Sequence, residues 1–133
     1  MTDVARVSVL VVDDSFDTRE MLAYWLTQLG YAVTTADGAD SALQAIAERP
    51  PDMILMDVIM PYVDGFELCR RLKRDRSTRD IPVVLMSGLQ HPENMRYGHE
   101  IGAAAFLVKP FDEDSLVGLV AALTGSAGAA AAM

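Results

Sequence analysis

Five short apolar runs, at residues 7–12, 32–35, 53–56, 83–86 and 104–108, constrain this chain more than any other feature. Each is too short for a helix, rich in β-branched or aliphatic residues, and bounded by polar, Gly or Pro residues, so each reads as a strand. Several, such as MILM and VVLM, are apolar throughout rather than alternating, which predicts strands covered on both faces, as in a parallel sheet. Parallel neighbours need long crossover connections, and the intervening segments carry helical patterns. In EMLAYWLTQLG, the residues Met21, Leu22, Trp25, Leu26 and Leu29 form a stripe at three- and four-residue spacing, with Gly30 as a C-terminal stop. ADSALQAIAE carries Leu43 and Ile46 and is closed by Pro50 and Pro51. DGFELCRRLKR sets Phe66, Cys69 and Leu72 on one side and its basic residues elsewhere. HPENMRYGHEIG opens with Pro92 at a first-turn position, and its Gly98 weakens it by about 1 kcal/mol relative to Ala. FDEDSLVGLVAAL begins with three acids, as suits a helix N-terminus, and then presents Leu116, Val120 and Leu123. Strand and helix alternate five times, the pattern of a doubly wound α/β domain with right-handed crossovers.

Length and charge narrow the function. A chain of 133 residues is expected to form one domain with a real hydrophobic core. Its formal charge of −8 argues against direct nucleic-acid binding, which calls for a basic patch. The single Cys69 excludes an intramolecular disulfide, fits a reducing compartment and reads as core filler rather than a reactive thiol. MTDVARV lacks the apolar core of a signal peptide, and no run approaches membrane-spanning length, so a cytoplasmic location is expected. Residues 1–124 are expected to be the domain, with the Ala/Gly-rich residues 125–133 a frayed tail or linker remnant.

In an open α/β sheet, ligands bind beyond the carboxyl ends of the strands. The first strand ends at Asp13 and Asp14, the third at Asp57, the fourth at Ser87 and the fifth at Lys109. Two adjacent carboxylates at the mouth of a core repel each other and resist desolvation, so an offsetting cation is required. Three carboxylates call for a hard divalent ion with oxygen ligands, and Mg²⁺ fits because it keeps waters and accepts phosphate oxygens. Lys109 supplies a positive charge on a long stem, and Ser87 a hydroxyl able to bond a phosphoryl oxygen. Together they describe a site for a transferable phosphoryl group with Asp57 as nucleophile. A single Asp after a strand is most often a helix cap or turn former, and Lys109 alone could be a surface charge. Five such residues at the right strand ends leave little room for that account.

The segments VLVVDD, LMDVIMPYVDGFEL, VVLMSG and GAAAFLVKPF, in this order, resemble the response-regulator receiver domains of two-component signalling, chemotaxis regulators among them. The resemblance runs from about residue 6 to residue 123. It implies a flavodoxin-like five-stranded parallel sheet of order 2-1-3-4-5 with five helices. It also implies Asp57 as phosphoacceptor and Mg²⁺ held by Asp14, Asp57 and the backbone carbonyl of Ile59, with Asp13 acting mostly through water. Lys109 would pair with the phosphoryl group and precede a cis peptide bond to Pro110. Ser87 would swing toward the phosphoryl oxygen and let Phe106 rotate inward; Phe106 stands where the family has Tyr or Phe, so no phenolic contact is available.

The implied function is a phosphorylation-controlled binding module rather than a conventional enzyme. A sensor histidine kinase or phosphotransfer protein would be the donor. A downstream effector would meet the fourth helix, fifth strand and fifth helix, the chain being a monomer or transient homodimer. The alternatives are a degenerate receiver serving as a scaffold, which the complete acidic site opposes, and an aspartyl-nucleophile phosphatase. The latter needs an acid two residues after the nucleophile, where this chain has Ile59. His91 and His99 lie in or beside the fourth helix, away from the acids, and are not expected to accept phosphate. The basic residues between 70 and 79 are expected to form a solvated face and loop.

Overall fold

The strands form where the apolar runs predict them and the helices fill every gap. A computed structural model describes residues 6–88 and 92–125. Leu89, His91 and the expected tail from 126 onward lie outside the described residues. The elements are β1 (Ser8–Val12), α1 (Phe16–Gln28), β2 (Ala32–Ala36), α2 (Ala39–Glu48), β3 (Met53–Asp57), α3 (Gly65–Arg74), β4 (Val83–Ser87), α4 (Pro92–Glu100), β5 (Ala105–Val108) and α5 (Glu113–Thr124). All pairings are parallel and the strand order is β2-β1-β3-β4-β5.

The uniform apolarity of β3 and β4 has the predicted cause: every residue in both is buried. Side chains alternate between two faces of the sheet. Val9, Val11, Leu55 and Val84 pack with Leu22 and Leu26 of α1 and Leu116 and Val120 of α5. Leu10, Val12, Ile54 and Leu85 pack with Ile46 of α2 and Leu68, Cys69 and Leu72 of α3. Cys69 is core, as expected, and burial pushes its thiol pKa up. The edge strand β5 is only half-buried along its length.

Helix ends follow local chemistry. Ser15, Asp64 and Asp112 are N-caps whose side chains accept from the backbone N–H of Thr18, Glu67 and Ser115 at 3.3, 2.9 and 2.7 Å. Gly125, the first residue of the expected tail, closes α5 in the left-handed conformation (φ 71°).

Three expectations need correction. Met21 and Leu43, placed in apolar stripes, are surface residues at 40% and 36% exposure. Their helices already bury Leu22 and Leu26, or Ala42 and Ile46, and the stripe is wider than the contact with the sheet. Lys73 is not simply solvated. Its Nζ donates to the carbonyls of Arg79 (3.0 Å) and Ile81 (2.6 Å), strapping α3 to the loop before β4, and burial lowers its pKa.

Candidate functional site: an acidic cluster with a bridging lysine

The parallel sheet brings the ends of β1, β3, β4 and β5 to one edge, and the site is built there. Asp57 is the last residue of β3, and Ser87 the last of β4. Asp13 and Asp14 follow β1, and Lys109 follows β5. Carboxylate oxygens of Asp13, Asp14 and Asp57 all lie within 4.8 Å of one another. Asp13 and Asp57 are buried and Asp14 is exposed, so the cluster has a closed inner side and an open outer one.

Lys109 spans the two buried acids. Its Nζ lies 3.0 Å from Asp13 Oδ2 and 3.4 Å from Asp57 Oδ1. The main chain of Lys109 is fixed too, since its N–H donates to the Ser87 carbonyl at 2.8 Å. The Lys109–Pro110 bond is cis, as the resemblance implied. Asp13 Oδ1 accepts from the Ser15 N–H at 2.9 Å, and its carbonyl accepts from Arg19 Nη1 at 2.7 Å. Capping of α1 thus falls to Ser15, which leaves Asp14 uncommitted to that task.

The electrostatics follow from sharing one ammonium between the two buried carboxylates, with Asp14 beside them. Burial, with the nearby charge of Asp13, raises the Asp57 pKa; Lys109 and the N–H of Ile59 oppose the rise but do not cancel it. Burial pulls the Lys109 pKa down, but its hydrogen bond to Asp13 and the charges of Asp57 and Asp13 outweigh that and raise it. The cluster therefore keeps a net negative charge in a partly desolvated pocket. An all-oxygen donor set with surplus negative charge and an open side fits a hard divalent cation such as Mg²⁺.

Sequence reasoning reached all five strand-end residues, and the structure brings Asp13, Asp14, Asp57 and Lys109 into one cluster. Ser87 is buried at the end of the adjacent strand. Phe106 lies elsewhere, half-buried in β5 opposite Leu85, and lines a cleft of about 200 Å³ with Met95, His99, Ala103 and Ala105. His99 is thus on the α4–β5 face and not at the acids. Two supporting residues were missed. One is Arg19, which holds the β1–α1 turn through the Asp13 carbonyl. The other is Gly65: a Cβ there would lie 2.3 Å from the Asp57 carbonyl oxygen, so only glycine lets α3 start this close to the end of β3. The Gly-Phe junction after Asp64 carries that signal, though by itself it reads only as a helix start.

Known proteins resemble this chain in sequence and in fold. The response regulator receiver domain family matches residues 9–121. The phosphate regulon transcriptional regulatory protein PhoB of Pseudomonas aeruginosa is 40% identical over 110 residues, covering 83% of this chain and 48% of that protein. The response regulator PleD of Caulobacter vibrioides is 45% identical over 116 residues, covering 87% of this chain and 26% of that protein. The chain therefore spans about half or less of the length of these curated relatives. The chemotaxis protein CheY4 of Vibrio cholerae superposes with a TM-score of 0.85 at 32% identity, covering 90% of this chain and 99% of that one. The signal receiver domain of a histidine kinase from Syntrophus aciditrophicus gives a TM-score of 0.82 at 34% identity, covering 89% of each chain. No helix among the described residues is long and apolar enough to cross a membrane. With its sheet order, its acidic cluster and a family match over most of its length, this chain belongs to the response regulator receiver domains of two-component systems.

Proposed function

We propose that the chain is a phosphorylation-operated switch in which Asp57 accepts a phosphoryl group from a histidine of a sensor kinase or phosphotransfer protein. The observation that carries this reading is the cluster itself: three carboxylates within 4.8 Å, with Lys109 bridging the two buried ones. In the transfer, an Asp57 oxygen forms a P–O bond as the P–N bond to the donor histidine breaks. The imidazole leaves with the bonding pair and takes up a proton. Hydrolysis returns the carboxylate and releases inorganic phosphate.

Each residue has a task in that cycle. Asp13, Asp14, Asp57 and the Ile59 carbonyl would hold Mg²⁺, which when bound supplies positive charge for the phosphoryl oxygens. Lys109, already within reach of Asp57, would turn its ammonium to the phosphoryl group. Ser87 would donate its hydroxyl to a phosphoryl oxygen, and its displacement would give Phe106 room to turn inward. The surface of α4, β5 and α5 would then change its affinity for an effector, a local charge change read out by a two-state element. The domain is read as residues 1–124, cytoplasmic, with no enzyme activity beyond accepting and losing its own phosphoryl group.

The test is direct. Incubation with Mg²⁺ and acetyl phosphate should add one phosphoryl group by intact mass, and Asp57→Asn should take up none. Equal labelling of both would remove Asp57 as the acceptor. Absence of labelling in the wild type, from acetyl phosphate and from phosphorylated donor proteins alike, would favour the scaffold reading.

A further inference from the structure

The strongest concentration of positive charge lies at the other edge of the sheet. Six of the chain's 11 Lys and Arg residues fall in residues 70–79, against the single carboxylate of Asp75, on a chain of net charge −8. They are not equivalent. Arg70 and Arg71 are held by Glu67 at 2.7 and 3.0 Å, and Lys73 is turned onto the Arg79 and Ile81 carbonyls. Arg74, Arg76 and Arg79 are exposed and make no ion pair among the described residues. Their backbone is ordered by side chains. Thr78 Oγ1 donates to the Leu72 carbonyl at 2.6 Å, and Asp75 accepts from Ser77 N–H and Oγ at 2.9 and 2.8 Å. Arg74 thus closes α3, and Arg76 and Arg79 stand on the fixed turn that follows it.

Beside this turn, α2 and α3 leave a cleft of about 290 Å³ whose apolar side is Leu43, Ile46, Ala47 and Pro50, and whose opposite side carries Arg71, Ser77 and Asp75, the Asp75 carboxylate being engaged by Ser77. Leu43 is the large apolar residue of α2 that the core does not cover, and it stands in this cleft. An apolar slot beside three unpaired guanidinium groups suits a ligand with both characters, because carboxylates pair with arginine forks and aliphatic side chains gain from leaving water. We propose that the α2–α3 cleft and the Arg74–Arg76–Arg79 turn form a docking site for a short acidic segment with aliphatic anchors on a partner protein. A long polyanion fits less well. Outside residues 70–79 the chain is strongly acidic, so a nucleic acid or anionic bilayer extending past the patch meets repulsion. The site is separate from the phosphoacceptor, at the amino end of β4 rather than the carboxyl end.

The test uses the full chain and a displayed library of peptides built from Glu, Asp, Leu and Ile. Selected peptides, made synthetically with a fluorophore, should bind with an affinity that falls as salt is raised. Resonances of α2, α3 and the following turn should shift. Arg74→Glu combined with Arg76→Glu should weaken binding at least tenfold, and Leu43→Ser severalfold, while labelling by acetyl phosphate stays unchanged. All three positions are exposed, so the variants should fold, which circular dichroism would check. Three results would overturn the proposal: a library yielding no peptide sensitive to these substitutions, tighter binding of duplex DNA or phosphatidylserine vesicles than of any peptide, or self-association abolished by the same charge reversal.

Discussion

The ring of Phe106 lies against the backbone of Gly98. A methyl group on Gly98 would come within 3.3 Å of Phe106 Cδ2 and 3.2 Å of Leu85 Cδ1. Gly98 is the buried residue of α4, whose other attachment on this side is the edge-to-face pair of Tyr97 with Phe66, centroids 5.0 Å apart. The helix is therefore seated on the sheet by a glycine and not by a large apolar anchor. Gly98→Val should overpack this seat and cost about 1–3 kcal/mol. The loss should be local: amide exchange should quicken in α4 while β1 and β3 keep their protection. Unchanged exchange in α4 would mean the helix is held elsewhere.

Ser87 and Phe106 sit on neighbouring strands, with Ser87 opposite Val108 and Leu85 opposite Phe106. If Ser87 links the acceptor to Phe106, Ser87→Ala should still be labelled at Asp57 by acetyl phosphate. The shift of Phe106 resonances on labelling should be largely lost. A full Phe106 response in the variant would sever the link.

The raised pKa of Asp57 has a stability consequence of definite sign. A carboxyl that holds its proton more tightly in the folded state favours folding below its ordinary value of 3.8, and that contribution is lost as pH rises through the folded value. At neutral pH, with divalent cations chelated, the ionised Asp57 therefore costs stability, and Asp57→Asn should melt higher than the wild type. The gap should close on acidification below about pH 4. Mg²⁺ should reverse the order by stabilising the wild type, by about 2.7 kcal/mol at a hundredfold excess over its dissociation constant. An Asn variant less stable than wild type in chelator would show that Lys109 pairing outweighs burial.

Gly65 tests the frame around Asp57. With its hypothetical Cβ 2.3 Å from the Asp57 carbonyl oxygen, Gly65→Ala cannot be accommodated by a side-chain rotation, because the obstacle is backbone. Strain of this kind is expected to cost roughly 2–4 kcal/mol, and labelling at Asp57 should slow as the end of β3 shifts. Denaturant unfolding gives the first quantity and intact mass the second. A variant as stable as the wild type would mean that α3 can move away freely.

The strands, their parallel pairing and the clustering of charged residues at their ends were legible because each depends on short local patterns. Apolar runs such as MILM and VVLM can only be buried on both faces, and the residues just after such a strand must lie at the sheet edge. Three features were not legible. The width of the buried stripe on α1 and α2 depends on how closely each helix meets the sheet, which left Met21 and Leu43 at the surface. Lys73 reads like its neighbours in the basic run, and only the path of the loop to β4 brings the Arg79 and Ile81 carbonyls to it. The need for glycine at 65 arises from a backbone approach between α3 and β3, invisible in a sequence read one element at a time.

On the proposed function, the lifetime of the phosphorylated state should turn on how water reaches a phosphoryl group on Asp57. The residues two places beyond Asp57 and Ser87 are Ile59 and Leu89, which the family resemblance implies should flank that approach; Leu89 lies outside the described residues. Ile59 is 60% exposed, an unusual setting for a large aliphatic side chain, and it stands beside the acid whose carboxylate its own N–H contacts. Neither aliphatic side chain carries a group that can orient a water by hydrogen bonding, and the exposed Ile59 can shield the phosphorus. Positioned acid–base help is typically worth about 10²-fold or more, so hydrolysis without it should be slow and the phosphorylated state comparatively long-lived. Replacing Ile59 by Asn and Leu89 by Glu should quicken loss of the phosphoryl group by roughly tenfold or more, with little effect on its uptake from acetyl phosphate. Decay followed by intact mass after donor removal measures this. A double variant that decays no faster than the wild type would show that shielding at these positions does not set the lifetime.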